Sequence, residues 1–127
     1  MPLLWHIDDG RHLLAVSEAT VLQAASWHFE GFETGREALH VYARRPRSER
    51  PDAILMDYFI GSERGDTVTR TLRRLDPAPS RSRIIGHSSV RRASEAILQA
   101  GGDAILPKHQ NAEGINPDLL AWLMAQG

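Results

Sequence analysis

The chain has 127 residues, with 15 Lys+Arg against 16 Asp+Glu for a formal net charge of -1, and every cation except Lys108 is arginine. That length fits one domain able to bury a real core, and 42% hydrophobic with 24% charged residues is a globular composition. The absence of cysteine excludes disulfides, thiolate chemistry and cysteine zinc sites. The near-neutral charge argues against nucleic acid as the main partner. No apolar run reaches the ~20 residues that span a bilayer, and the start lacks a basic stretch before an apolar one. The expectation is a cytoplasmic protein with no membrane partner.

The elements alternate along the chain. Leu3 to Asp8 is an apolar run that predicts a buried strand, broken by Gly10. Residues 12–26 have helical spacing, with Leu14, Val21 and Ala25 on one side and Leu13 and Leu22 beside them. A second strand is expected over Trp27 to Phe32, then a helix carrying Ala38, Leu39, Tyr42 and Ala43. The charged, proline-flanked stretch from Arg44 to Pro51 predicts a loop. A third strand, Asp52 to Asp57, is followed by a loop over Phe59 to Arg64. A helix from Gly65 presents Val68, Leu72 and Leu75, and Asp76-Pro77-Ala78-Pro79 stops it. Arg83 to His87 is a fourth strand, and Val90, Ala93, Ile97 and Ala100 mark the next helix, closed by Gly101-Gly102. A fifth strand covers Asp103 to Leu106. A last helix opens with Asn116 as N-cap and Pro117 in the first turn. Five continuous apolar strands alternating with five helices predict an α/β, doubly wound, five-stranded parallel sheet.

Ligands of such sheets sit at the carboxyl ends of the strands. The residues there are Asp8-Asp9, Asp57, Ser88 and Lys108. Three converging carboxylates without a counter-charge repel, which raises at least one pKa. A divalent cation relieves this, and a set of hard oxygens with neither His nor Cys points to Mg²⁺. A carboxylate is also a nucleophile toward phosphorus, and a cation, an ammonium and a hydroxyl are suited to the charge on a phosphoryl group in transfer. Read singly, Asp8-Asp9 would be helix-capping acids and Ser88 a cap before the next helix. The histidines show no helical metal spacing, so His87 and His109 are expected at the surface or behind the site. Arg91-Arg92 and the other arginine groups read as solvated faces.

Taken in order, Ile7-Asp8-Asp9, the run Asp52 to Asp57, Gly65, Ser88 and Pro107-Lys108 resemble the receiver domain of two-component response regulators. The resemblance covers essentially the whole chain and implies the strand order 2-1-3-4-5. It implies Asp57 as phosphoacceptor for a histidine kinase or a histidine phosphotransfer protein. It also implies Mg²⁺ held by Asp8, Asp9, Asp57 and the Phe59 backbone carbonyl, with Ser88 and Lys108 engaging the phosphoryl group. Three positions depart from the family. His109 stands where a proline usually follows the lysine, so that either Lys108–His109 is a cis bond about 2.5–4 kcal/mol above trans or the loop is rearranged. Ile105 stands at the switch position that is usually aromatic. Phe59 is apolar where a polar residue is common, and it also stands where aspartate-nucleophile phosphatases need a second Asp, which argues against an enzyme with turnover.

The expectation is therefore a single receiver domain over 1–127 with no output domain. It would signal to a downstream protein by contact, and the resemblance allows a homodimer through the last strand and helices. The alternative is a pseudo-receiver that binds partners without phosphate, toward which Ile105 and His109 lean.

Overall fold

The computed structural model describes residues 1–77, 79–80 and 82–126. Its elements run β1 (Leu3–Ile7), α1 (Arg11–Gln23), β2 (His28–Phe32), α2 (Gly35–Arg44), a 3-10 turn (Arg47–Glu49) and β3 (Ala53–Met56). They continue with β4 (Phe59–Ile60), β5 (Glu63–Arg64), α3 (Gly65–Leu75), β6 (Arg83–Gly86), α4 (Arg91–Gln99), β7 (Ala104–Ile105) and α5 (Pro117–Ala125). The main sheet is all parallel, in the order β2-β1-β3-β6-β7. Counting its five strands alone, this is the expected 2-1-3-4-5.

Alternation along the central strands divides the core. Trp5, Ile7, Ile54, Met56 and Ile84 face α2, α3 and α4, where Ala38, Tyr42, Val68, Leu72 and Ile97 meet them. Leu4, Ala53, Leu55 and Ile85 face the other way, onto Val21, Leu119 and Leu123 of α1 and α5. Both faces are covered, so β3 is buried throughout. No helix among the described residues is long and apolar enough to cross a membrane.

The helix ends follow local chemistry. Thr34 Oγ1 accepts from Glu37 N at α2, and Asn116 caps α5 with Pro117 in its first turn. Gly102 N donates to Ile97 O past α4, as the glycine pair predicts.

Four expectations are corrected. Residues 59–64 form an antiparallel hairpin, with Phe59 opposite Arg64 and Ile60 opposite Glu63. Ile60 anchors it in the core, and Gly61 turns it with φ +60°. Helix α1 ends at Gln23, because Ala25 takes a left-handed φ of 56°. Leu22 and Leu75 are exposed, and the buried positions of their helices include Ser17, Thr20, Asp66 and Thr69. The fifth strand shrinks to Ala104–Ile105, leaving Leu106 to Asn116 as an irregular segment. Helix α3 stops before Asp76 as expected, while Ala78 of the proposed stop lies outside the described residues.

Candidate functional site

Each backbone at the site is held by one more rung of the sheet beyond the strand ends. Asp8 N donates to Phe32 O (2.9 Å), Asp57 N to Ile7 O (3.1 Å), His87 N to Met56 O (2.9 Å) and Leu106 N to Gly86 O (3.0 Å). Asp8, Asp57 and His87-Ser88 thus line up on rigid strands, and Lys108 follows two residues after Leu106.

Lys108 Nζ lies 2.7 Å from Asp8 Oδ2 and 3.1 Å from Asp57 Oδ1, with its side chain only 11% exposed. It closes an ion pair between two strands across 100 residues of sequence. Asp57 Oδ1 also accepts from Tyr58 N (2.9 Å), and no donor among the described residues engages Oδ2. Asp8 and Asp57 are buried, while Asp9 is exposed and accepts from Gly61 N at 3.1 Å, which ties the β4–β5 hairpin to the site. Neither Asp8 nor Asp9 caps α1: its N-cap is Gly10, whose N–H donates to Asp8 Oδ1.

The two buried carboxylates diverge electrostatically. Burial raises the Asp57 pKa, the charge of Asp8 raises it further, and Lys108 with the Tyr58 N–H only partly offset this. For Asp8, burial also pushes upward, but the His6 N–H, the Lys108 ammonium and the Gly10 N–H outweigh it and hold the pKa at about 2. A depressed carboxylate stabilises the fold above its unfolded pKa and loses that contribution as pH falls through the folded one. For Asp8 the window runs from 3.8 down to about 2. The contribution is about 2 kcal/mol at one pKa unit per 1.36 kcal/mol. Asp8→Asn should therefore flatten the decline of stability with acid in that window, read by urea unfolding at stepped pH.

A polar layer lies beneath the acids, and of its members the sequence singled out only His87. His6 is fully buried in the middle of β1, with Nδ1 2.9 Å from Ser17 Oγ and Nε2 3.2 Å from Asp8 Oδ2. The second contact is too far off line to complete a hydrogen bond, so it acts electrostatically. His87, expected at the surface or behind the site, is buried edge-on to His6, with ring centroids 5.2 Å apart. Its Nδ1 is 3.0 Å from Leu106 O, and since a carbonyl only accepts, that nitrogen carries the proton. Burial keeps both rings neutral and brings His87 down to about 3. The signal in the sequence was a histidine inside an otherwise apolar strand run.

Ser88 is buried, and its Oγ accepts from Val90 N (3.2 Å) at the start of α4, while its N–H donates to Ser94 Oγ. Capping and a role at the site are compatible, because the hydroxyl still has its proton to donate. Ser88, Ile105 and Lys108 line one cavity of about 330 Å³. Phe59 is 58% exposed, and its ring meets the Tyr58 ring edge-on at 4.8 Å. His109 is paired with Asp118. Arg91 and Arg92 are exposed, as expected of a solvated face.

Asp8, Asp9 and Asp57 each offer one carboxylate oxygen, all within 4.8 Å of one another. A hard oxygen set with a buried carboxylate of raised pKa fits a divalent cation of the magnesium or calcium type.

No family model and no curated protein matches the sequence. Solved structures do match. A CheY-like response regulator receiver domain protein from Methanospirillum hungatei superposes with TM-score 0.76 at 20% identity, over 99% of this chain and 93% of its own. The Vibrio cholerae chemotaxis protein CheY4 gives 0.74 at 22%, over 98% of each chain. A Burkholderia pseudomallei response regulator, solved with a phosphorylated aspartic acid and a calcium ion, gives 0.68 at 20%, over 99% of this chain and 72% of its own. The architecture is the receiver fold of response regulators.

Proposed function

We propose that the protein is a two-component receiver that takes a phosphoryl group onto Asp57 and signals by protein contact. The observation that carries this reading is the Lys108 ammonium set between Asp8 and Asp57 on the carboxyl edge of the sheet. The donor would be the phosphohistidine of a histidine kinase or a histidine phosphotransfer protein. Asp57 Oδ2, which no donor among the described residues engages, attacks phosphorus. The P–N bond breaks, and the imidazole leaves with the electron pair and takes up a proton. Asp8, Asp9, Asp57 and the Phe59 carbonyl would hold Mg²⁺, which neutralises charge on the phosphoryl oxygens. Lys108 pairs with one of those oxygens, and Ser88 donates its hydroxyl to another while its Oγ still accepts from Val90 N. The phosphorylated aspartic acid and the calcium ion of the Burkholderia structure support an aspartate acceptor and a divalent cation. The phosphate chemistry is limited to gain and loss of the protein's own phosphoryl group.

Acetyl phosphate with Mg²⁺ tests this reading: one phosphoryl group should appear by intact mass and map to Asp57. No mass gain, together with no Mg²⁺-dependent binding of beryllium fluoride, leaves the second reading. That reading is a phosphate-independent binding module, favoured by the aliphatic Ile105 in the shared cavity where receivers place an aromatic switch.

The lone lysine gives a sharper prediction. A single Nζ satisfies two carboxylates on different strands in a nearly closed space, whereas arginine brings a broad planar fork. Lys108→Arg should keep the fold and the charge. It should lose one charge-assisted contact, about 1.5–3 kcal/mol, and weaken the phosphorylation-dependent change at least tenfold. Amide chemical shifts with and without beryllium fluoride measure this, and a variant whose Ser88 and Ile105 shifts respond as fully as those of the unchanged protein would reduce Lys108 to a plain cation.

A further inference from the structure

Lys108 belongs to an irregular segment, yet its flexible stem ends between two carboxylates, 2.7 and 3.1 Å away. Something must fix the backbone that leads to it. Leu106 is held by Gly86 O and by His87 Nδ1. Between Leu106 and Lys108, Pro107 O accepts from Asn116 Nδ2 at 3.1 Å.

Asn116 is 2% exposed and uses every polar group it has. Its Oδ1 accepts from Asp118 N (3.1 Å) and Leu119 N (3.2 Å), capping α5. Its backbone N–H donates to Thr20 Oγ1 (3.0 Å), which in turn donates to Val16 O of α1. Its Nδ2 closes the loop back onto Pro107. The amide orientation is settled by these partners, since two N–H groups face the oxygen and a carbonyl faces the nitrogen. Within the loop, Asn111 Oδ1 accepts from Glu113 N and Ile115 N, and Asn111 N donates to Ile115 O. Residues 107–116 are thus a closed lariat with Asn116 as its knot.

We propose that Asn116 is the positioning residue for Lys108, holding the lysine's backbone through Pro107 in a chain that has His109 where a proline would stiffen the loop. The inference rests on the reading of Lys108 as the partner of the phosphoryl group. Capping alone would be served equally by aspartate or serine. Only the amide adds a donor that reaches Pro107 O.

The test uses that difference. Asn116→Asp and Asn116→Ser keep a capping oxygen for α5 but have no Nδ2–H. Because Lys108 is the only lysine, its amine competes with nothing but the N-terminus for an acylating reagent, and mass spectrometry reads the two separately. Both variants should fold and unfold cooperatively, with a fall in melting temperature of several degrees, while Lys108 is acylated about fivefold faster, the loss of one hydrogen bond. The single ¹³Cε-lysine resonance should move toward that of free lysine. An unchanged rate and resonance in both variants overturn the proposal. So does failure of both to fold, which would make Asn116 a structural residue only. The measurement needs no phosphate, so a wild-type protein that never takes a phosphoryl group overturns the receiver reading without deciding the role of Asn116.

Discussion

Asp57→Asn should abolish phosphoryl uptake from acetyl phosphate and at the same time raise the melting temperature of the metal-free protein. The first effect is chemical: the amide offers no anionic oxygen to attack phosphorus. The second follows from the buried charge. Burial and the neighbouring Asp8 carboxylate raise the Asp57 pKa, so the ionised form costs stability in the folded state. That cost is absent below the unfolded pKa, about 4, and fully present once the pH exceeds the folded one. The stability gained by Asp57→Asn should therefore be present at pH 7 and vanish near pH 3. The geometry allows the exchange, because Tyr58 N and Lys108 both address Oδ1 and no donor among the described residues faces Oδ2. The new NH₂ group can take the Oδ2 position, and Lys108 keeps Asp8 at 2.7 Å. Mg²⁺ should narrow the gap in melting temperature, since it compensates the same charge in the unchanged protein. Calorimetry at pH 3 and pH 7, with and without Mg²⁺, separates the contributions. A variant that melts lower at pH 7 would mean that the Asp57–Lys108 contact outweighs the burial.

Gly65→Ala should be the most destabilising small change near the site. A Cβ there would lie 1.9 Å from Asp57 O, 2.9 Å from Asp57 C and 3.0 Å from Tyr58 Cα. All three are backbone atoms, so no side chain can swing aside. The amide of Gly65 also donates to Tyr58 O at 2.8 Å, pinching the chain closed at the base of the β4–β5 hairpin. Relief requires moving either the start of α3 or the backbone of Asp57 itself. The expected cost is about 3 kcal/mol or more. The corresponding fall in melting temperature is roughly 10 °C. Phosphoryl uptake should fall with it, because the acceptor is displaced. Gly61→Ala is the control. It meets nothing within 4 Å, so only its left-handed φ of +60° is charged, about 1–2 kcal/mol. Equal effects at the two glycines would mean that close approach is not what Gly65 provides.

Much of this molecule was legible before folding. The alternation of apolar runs with helical periodicity is a local property, and it placed the five strands of the sheet and the five helices. The rule that ligands gather at the carboxyl ends of parallel strands then selected Asp8, Asp9, Asp57, Ser88 and Lys108 without any coordinates. The hairpin escaped because two residues per strand are too few to show a period of two. Leu22 was misplaced because it lies about a hundred degrees round α1 from the buried Val21, and Leu75 because it is the last residue of α3.

The sequence by itself determined the parallel architecture and the five side chains at one edge of it. Only the tertiary structure decided how those side chains differ from one another. Asp8 and Asp57 are both aspartates at strand ends, yet one is held at about 2 and the other is raised, because burial pushes both upward and only the neighbours of Asp8 outweigh it. Asn116 looked like an ordinary N-cap, and its donor to Pro107 and its amide on Thr20, 96 residues away, exist only after folding. Lys108, conspicuous in the sequence as the single lysine among the arginines, was assigned its place by composition and strand order. What holds it there is a set of contacts between segments distant in the chain, which no local pattern encodes.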